Sequence, residues 1–237
     1  MWQLEARPAP SRTMSYASPV VALVMTVVVA FVMFVALGAD PVRGLQVFLI
    51  EPWNGARALS ELALKSTSLV LCALGLALCY RSNVWNIGAE GQYLMGGIAA
   101  GGLAMWFTMN KVGMSNWAFM PLAALAGMLG GAFWASITAL LRDRFNASEI
   151  LVSLMLVYVA NHFLSYLVFG PWKDPMGFNF PQTVNFDMGM PRMLAGYRLH
   201  WGTVVALVLV VAVWLFMART YRGYQLQVGG LAPAAAR

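Results

Sequence analysis

A short polar segment between two long apolar runs contains the residues of this sequence best suited to chemistry. The segment Asn86-Ile-Gly-Ala-Glu-Gly-Gln92 supplies amide donors and acceptors and one carboxylate. Such groups are costly near a hydrocarbon core and rarely lie there without a functional contact. Gly88 and Gly91 remove side chains from the backbone, as a broken helix that approaches a polar solute requires. We therefore expect Asn86, Gly88, Glu90, Gly91 and Gln92 to border a solute path; an equally weighted alternative is a loop whose asparagine caps the next helix.

A second group of polar side chains lies on one face of a predicted helix. At the rotation of an α-helix, Tyr158, Asn161, His162 and Ser165 fall within an arc of about 100°. In hydrocarbon, such a face must meet protein or a water-filled cavity, so it either joins helices or lines a path. Asn161 and His162 are thus further candidates for the solute path. For His162, a hydrogen-bonded packing role is favoured over a protonation switch.

Enzymatic and metal chemistry have little support in this sequence. G-x-S-x-G, H-E-x-x-H and P-loop motifs are absent, so transport is favoured over catalysis. Two histidines in all make no metal site, and no cofactor is expected. Cys72 and Cys79 are predicted on one helix at roughly 10 Å along its axis, too far apart for a disulfide.

The elements that would position these residues are membrane helices. Hydrophobic residues make up 60% of the chain and charged residues 10%, against roughly 25% charged in a soluble domain. Continuous apolar runs, rather than alternation at period 2, indicate helices and not a β-barrel. The fold class is therefore predicted as all-α, a polytopic integral membrane bundle with about six transmembrane helices. The predicted spans are 19–37, 62–80, 92–109, 117–141, 150–169 and 202–218.

The domain organisation follows from these spans. Residues 1–18 are expected to form a cytoplasmic N-terminal lead, and residues 19–237 a single transmembrane domain. The tail carries Arg219, Arg222 and Arg237 without an acidic residue, which predicts a cytoplasmic C-terminus. An even number of crossings then returns the N-terminus to the same side. The net charge of +6 is interpreted as an orientation signal, and no nucleic acid partner is expected.

Other segments suggest how the helices are packed and covered. The spacing Gly97-x-x-x-Gly101 and Gly127-x-x-x-Gly131 predicts close helix contacts. The connection 40–61 has an apolar patch that indicates either a short interfacial helix or an ordered loop. The connection 170–201, rich in aromatic residues and proline, is expected to fold over the outer mouth. The residues from Asn146 to Glu149 indicate a helix N-terminus with its cap and a first-turn acid.

Several of these segments also resemble a known family. Trp85-Asn-Ile-Gly-Ala-Glu-Gly-Gln92 is similar to the signature of permease subunits in the branched-chain amino acid and simple-sugar class of bacterial ABC importers, particularly the nucleoside-type branch. Further similar segments, in the same order, are Glu149-Ile-Leu-Val-Ser-Leu-Met155, Gly170-Pro-Trp-Lys-Asp-Pro175, Phe180-Pro-Gln-Thr183 and Gly230-Leu-Ala-Pro-Ala-Ala-Ala-Arg237. The resemblance extends from about Leu62 to the last residue.

The resemblance implies a function and a set of partners. The chain would be a permease subunit in the cytoplasmic (inner) membrane of a bacterium, importing nucleosides or related sugars. Its partners would be a cytoplasmic ABC ATPase, which hydrolyses the ATP, a second permease subunit, an extracytoplasmic solute-binding protein and membrane lipid. Gly230, Ala234 and Ala235 would belong to the loop that couples to the ATPase. Relatives continue past this loop with further membrane helices, so the chain is expected to be a fragment or a truncated product.

Three other functions stay open at this point. A permease of the same class could carry a simple sugar or a branched-chain amino acid. A secondary transporter would need intramembrane ionisable residues, of which His162 is the clearest. An inactive, truncated membrane subunit is the third alternative.

Overall fold

The computed structural model describes residues 11–178 and 180–232, and within these ranges the chain is helical. The α-helices are α1 (Arg12–Ala36), α2 (Pro41–Leu49), α3 (Ala56–Arg81), α4 (Ala89–Met109), α5 (Asn116–Phe145), α6 (Glu149–Phe169), α7 (Gly202–Arg219) and α8 (Tyr221–Leu231). A short 3₁₀ helix, Glu51–Trp53, follows α2. In this part of the chain the β-type pairing is confined to one isolated bridge between Arg192 and His200. The all-α prediction is confirmed.

Five of the described helices are long and apolar enough to cross a membrane, namely α1, α3, α5, α6 and α7. The sixth predicted span corresponds to α4, a helix of 21 residues that is rich in glycine and begins with Glu90 and Gln92 near its N-terminus. Because α4 packs against both α5 and α6, much of its surface meets protein rather than lipid. A helix in that position needs less apolar side-chain surface than one surrounded by lipid.

The chain divides into two compact units, the first of which is Met1–Leu62. In it, α1 begins at Arg12, so the helix starts within the segment predicted as a polar lead; residues 1–10 lie outside the described part. Asp40 caps α2 by accepting hydrogen bonds from the backbone N–H groups of Val42 and Arg43. The short helix expected in the connection 40–61 is therefore present.

The second unit, Ala63–Arg237, is built around the contact between α4 and α5. A Cβ atom added to Gly96 would lie 2.9 Å from the backbone oxygen of Gly127, and one added to Gly131 would lie 3.1 Å from the backbone oxygen of Gln92. Small residues thus bring the two backbones into direct contact, as in membrane helices that lack side chains at their interface. The predicted role of Gly127 and Gly131 is confirmed.

Within the described residues, the two α4 glycines do not form the close helix contact that their spacing predicts. Gly97 has open space where a side chain would be, and Gly101 approaches only Phe186, at 3.9 Å. The row of α4 that meets α5 contains Gln92 and Gly96 instead. Since each residue turns a helix by about 100°, a shift of one position moves the glycine pair off the interface.

The connection 170–201 packs over the end of the bundle where α4 ends and α5 begins. Trp172 lies against Gly102, where an added Cβ would be 3.1 Å from the indole ring. Met188 is buried with Phe107 and Phe119 in an apolar cluster. The backbone N–H of Asp187 donates to the hydroxyl of Thr108 at 3.2 Å. This connection is an ordered cover for that end of the helices, as its composition predicts.

Candidate functional site

The polar segment of the sequence lies at the opposite end, where an irregular linker (residues 82–88) joins α3 to α4. Asn86 accepts a hydrogen bond from the backbone N–H of Gly88 at 2.9 Å through its side-chain oxygen. α4 then runs without interruption from Ala89. The N-cap of α4 is Gly88, which has no side-chain cap, so Asn86 does not cap the helix as the alternative predicts. Its side-chain oxygen instead closes a turn just before α4, and the linker rather than a break inside a helix supplies the irregular backbone.

Asn86 and Gln92 form a reciprocal pair of amide hydrogen bonds. The side-chain NH₂ of Asn86 donates to the Gln92 carbonyl at 3.2 Å, and the Gln92 NH₂ donates to the Asn86 carbonyl at 3.3 Å. Each amide retains a second N–H, and the Gln92 oxygen retains acceptor capacity, whereas the Asn86 oxygen already accepts from both Gly88 and Gln92. The pair thus satisfies two polar side chains at half-buried positions while leaving donors and acceptors for another molecule.

Side chains of α6 hold the linker backbone. The N–H of Trp85 donates to a carboxylate oxygen of Glu149 at 2.8 Å, and the N–H of Ile87 donates to the hydroxyl of Ser153 at 3.2 Å. The other oxygen of Glu149 forms an ion pair with Arg142 at the end of α5. Ser148 is the N-cap of α6 and Glu149 lies in its first turn, so the predicted helix start is confirmed.

The two glycines of the segment face α6 and not open space. A Cβ added to Gly88 would lie 2.9 Å from the Cβ of Ser153, and one added to Gly91 would lie 3.1 Å from the Cα of Val157. Both glycines are buried. Their missing side chains are therefore explained by close packing of the linker and of α4 on α6.

A polar cavity of about 600 Å³ opens beside the amide pair. Its lining residues are Cys79, Val84, Asn86, Gln92, Ala135, Thr138, Ala139, Arg142, Asp143, Asn146 and Glu149. The lining therefore joins the end of α3, the linker, the start of α4, the end of α5 and the start of α6. The amides and the hydroxyl are groups that bind hydroxylated, uncharged molecules, and the lining also carries the charged side chains of Arg142, Asp143 and Glu149.

Two more cavities continue along α4, and Gln92 lines all three. A smaller one of about 290 Å³ shares Cys79, Asn86 and Gln92 with the polar cavity. An apolar one of about 570 Å³ shares Gln92 and Tyr93 with the smaller cavity and also contains Phe119. Gln92 thus lies at the junction between polar and apolar lining.

The other predicted site residues lie apart from the amide pair. Glu90 is exposed in the first turn of α4. Asn161 donates to the carbonyl of Val157 in its own helix, and His162 is exposed. None of these three predicted residues lines the polar cavity. For them, the solute-path role stays a prediction.

The predicted coupling segment is described only at its start. An alanine Cβ at Gly230 would clash with the backbone oxygen of Arg81, the last residue of α3. α8 therefore packs closely against the point where the linker begins. Ala234 and Ala235 lie outside the described residues.

Reasoning from sequence alone missed the contribution of the end of α5 to this site. Thr138, Arg142 and Asp143 look like the ordinary end of a membrane helix with its charged residues, and no local pattern links them to the linker. Glu149 lay within a segment that carries the family resemblance, which was a usable signal. Among the described residues, no group of three or more His, Cys, Asp or Glu side chains could hold a metal ion.

Comparison with known proteins gives this site a family context. Residues 58–237 match the family described as branched-chain amino acid transport system, permease component. The chain is 34% identical over 247 residues to the glucose ABC transporter permease protein of Haloferax volcanii, covering 99% of this chain and 63% of the relative. It is 25% identical over 237 residues to the nucleoside ABC transporter permease protein of Lactococcus lactis, covering 95% and 63%.

A third relative is the guanosine ABC transporter permease protein of Bacillus subtilis, 28% identical over 186 residues, with 75% of this chain and 52% of the relative covered. The chain thus spans less than two thirds of the length of these three relatives. No solved structure matches.

The family match covers every helix of the second unit and most of α3. The apolar helices and the permease relatives together indicate a multi-pass protein of the cytoplasmic membrane. The relatives bear the names of transport subunits and not of enzymes, in agreement with the preference for transport over catalysis. The chain belongs to the family of permease components of branched-chain amino acid transport systems.

Proposed function

We propose that this chain is a permease subunit of an ABC importer that carries nucleosides or related sugars across the cytoplasmic membrane. A separate ATPase subunit supplies the energy, an extracytoplasmic binding protein delivers the solute, and a second permease subunit completes the pore. Family membership and the names of the relatives support this function. The polar cavity beside Asn86 and Gln92 supports a solute path in this part of the chain.

The position of Gln92 between a polar and an apolar cavity is the observation that favours a nucleoside as the solute. A nucleoside has a flat, weakly polar ring and a hydroxylated sugar, so it needs both kinds of lining. Tyr93 and Phe119 offer aromatic surface to the ring, while Asn86 offers amide groups to the hydroxyls. Cavities of this size are in the usual range for small-molecule sites, roughly 300–1,000 Å³. A simple sugar would use the polar cavity alone, which is the alternative favoured by the glucose permease relative.

The orientation of the chain is part of the proposal. The basic residues Arg219 and Arg222 flank the start of α8 and favour a cytoplasmic position for that end. The linker and the polar cavity would then lie on the cytoplasmic side, close to the ATPase. The contact between Gly230 and Arg81 would bring the coupling segment next to the linker.

Thiol labelling can test the solute path, because Cys79 lines the polar cavity. We would treat the full-length protein in membrane vesicles with a small maleimide and measure the labelling rates of Cys79 and Cys72 by mass spectrometry. Guanosine, ribose, glucose and leucine would be compared as protecting solutes. Protection of Cys79 by guanosine is the expected result, with weaker protection of Cys72, which lines only the adjoining smaller cavity.

The remaining outcomes separate the alternatives. Protection by glucose and ribose, with guanosine no better, would favour a sugar permease. Protection by leucine alone would favour an amino acid permease. Labelling of Cys79 that no solute slows, in vesicles that take up the solute in an ATP-dependent manner, would refute the assignment of this cavity to the path.

A further inference from the structure

We propose that Glu149 and Ser153 are positioning residues, which hold the linker on α6 so that the amides of Asn86 and Gln92 face the polar cavity. The inference rests on the proposed function only in taking these amides to be the groups that meet the solute. It assigns a role to Glu149, which was explained simply as a first-turn acid, and to Ser153, for which no sequence pattern predicted a role.

The main observation is how the backbone N–H groups of the linker are bonded. Outside helices and sheets, each buried backbone N–H group still needs an acceptor. Here the N–H groups of Trp85 and Ile87 both donate to side chains of α6, at 2.8 and 3.2 Å. The acceptors Glu149 and Ser153 are one helical turn apart and so lie on the same face of α6. Trp85 and Ile87, two residues apart in the linker, are thus bonded to successive turns of α6.

Burial makes these acceptors effective. The Ser153 residue is 1% exposed, and the Glu149 side chain is 13% exposed. Water therefore has little access to compete for the hydrogen bond from Ile87 to Ser153, which is stronger in such surroundings. The bond from Trp85 is also charge-assisted, which adds to its strength.

Glu149 connects three elements through one carboxylate. It belongs to α6, accepts from the linker and forms an ion pair with Arg142 of α5. The Arg142 side chain is 46% exposed, so the ion pair itself contributes little through its charge. Its effect is to orient the carboxylate toward Trp85.

The linker is also fitted to α6 by shape. Gly88 has no room for a side chain beside Ser153. At the start of the linker, the rings of Tyr80 and Trp85 pack with their centroids 5.7 Å apart. Asn86 lies between these two fixed points, and its side chain bonds to Gly88 and Gln92. The position of the amide pair therefore depends on the two bonds to α6.

The test uses two pairs of variants with matched chemistry. Glu149→Ala removes the acceptor for Trp85, whereas Glu149→Gln retains an oxygen at the same place. Ser153→Ala removes the acceptor for Ile87. Ser165→Ala is its control on the same helix, because the exposed Ser165 hydroxyl bonds only to the backbone of α6 in the described structure.

The readout is the maleimide labelling of Cys79, without added solute, in the full-length protein in vesicles. Losing a charge-assisted or buried hydrogen bond corresponds to about a tenfold change in a local opening equilibrium. We therefore expect Cys79 to react about tenfold faster in Glu149→Ala and Ser153→Ala, and within about twofold of wild type in Glu149→Gln and Ser165→Ala. Cys72, which lies about two turns from Cys79 on α3 and lines only the smaller cavity, should be accelerated less than Cys79 in Glu149→Ala and Ser153→Ala.

Two outcomes would overturn the inference. One is a wild-type labelling rate of Cys79 in both Glu149→Ala and Ser153→Ala. The other is an equal acceleration at Cys72 and Cys79, because the two side chains would then stabilise the bundle in general and not the linker. Since no solute is present, these results do not depend on the proposed function. Protection of wild-type Cys79 by guanosine tests that function separately.

Discussion

Two adjacent glycines of α4 should respond in opposite ways to the same substitution. A Cβ at Gly96 would lie 2.9 Å from the backbone oxygen of Gly127, whereas a Cβ at Gly97 would meet nothing within 4 Å. A backbone oxygen in a packed helix cannot rotate away, so α4 and α5 must separate or shift to accept the new methyl group. Such overpacking costs about 1–3 kcal/mol.

For Gly97→Ala, the expected change in the free energy of unfolding has the opposite sign. Alanine is favoured over glycine inside a helix by up to about 1 kcal/mol. With no clash to offset this gain, Gly97→Ala should leave the free energy of unfolding unchanged or raise it by that amount. Gly96→Ala receives the same gain but also meets the clash, so the two variants should differ by about 1–3 kcal/mol in the free energy of unfolding.

Unfolding of the purified protein in mixed detergent micelles, followed by circular dichroism as the denaturing detergent is increased, measures both variants under one condition. The wild-type protein and Gly75→Ala, at a glycine of α3 that also has open space around it, serve as references. If Gly97→Ala destabilises the protein as much as Gly96→Ala, the assigned rotation of α4 is wrong. The interface would then be the Gly97 and Gly101 face that the sequence spacing predicts.

Three further perturbations have outcomes that follow from single contacts. Gly230→Ala should displace α8, because the new Cβ would clash with the backbone oxygen of Arg81; faster proteolysis within α8 in detergent, with the rest of the chain intact, is the check. Thr67→Val and Thr203→Val each remove one side of a 2.9 Å hydroxyl bond between α3 and α7, and a double-mutant cycle on the free energy of unfolding should give a coupling of about 0.6–2 kcal/mol. Additive effects would show that the two hydroxyls do not interact. Asn86→Ala should lose solute uptake more than Asn86→Asp, which retains the oxygen that accepts from the N–H of Gly88; equal uptake by the two variants would show that this contact does not support the path.

Much of the fold could be predicted because the signals are local. Apolar runs of spanning length predict the order of six of the eight described α-helices, and the start of α6 follows from Ser148 and Glu149. The connection 170–201 could be recognised as an ordered cover from its aromatic residues. In each case the information lies within one segment of the chain.

The rotation of α4 and the partners of the linker could not be predicted in this way. The choice between Gly96 and Gly97 depends on which face meets Gly127, a residue of another helix. The bond between Trp85 and Glu149 joins positions 64 residues apart. A single amino-acid sequence contains no signal for contacts between residues so far apart, although Trp85 and Glu149 both lie in segments that resemble the family.

Two of the segments that resemble the family, the one from Trp85 to Gln92 and the one from Glu149 to Met155, are in contact. This contact suggests how a path can open. In the described structure, the amides of Asn86 and Gln92 satisfy one another at 3.2 and 3.3 Å. A solute hydroxyl that enters the polar cavity can replace one amide as the partner of the other, so the number of hydrogen bonds need not fall as the pair separates. Exchange of this kind carries little net cost, because the value of a hydrogen bond depends on the difference between the partners exchanged. The exchange also requires that the linker stay in place while the pair opens, and the bonds from Trp85 and Ile87 to α6 meet that requirement.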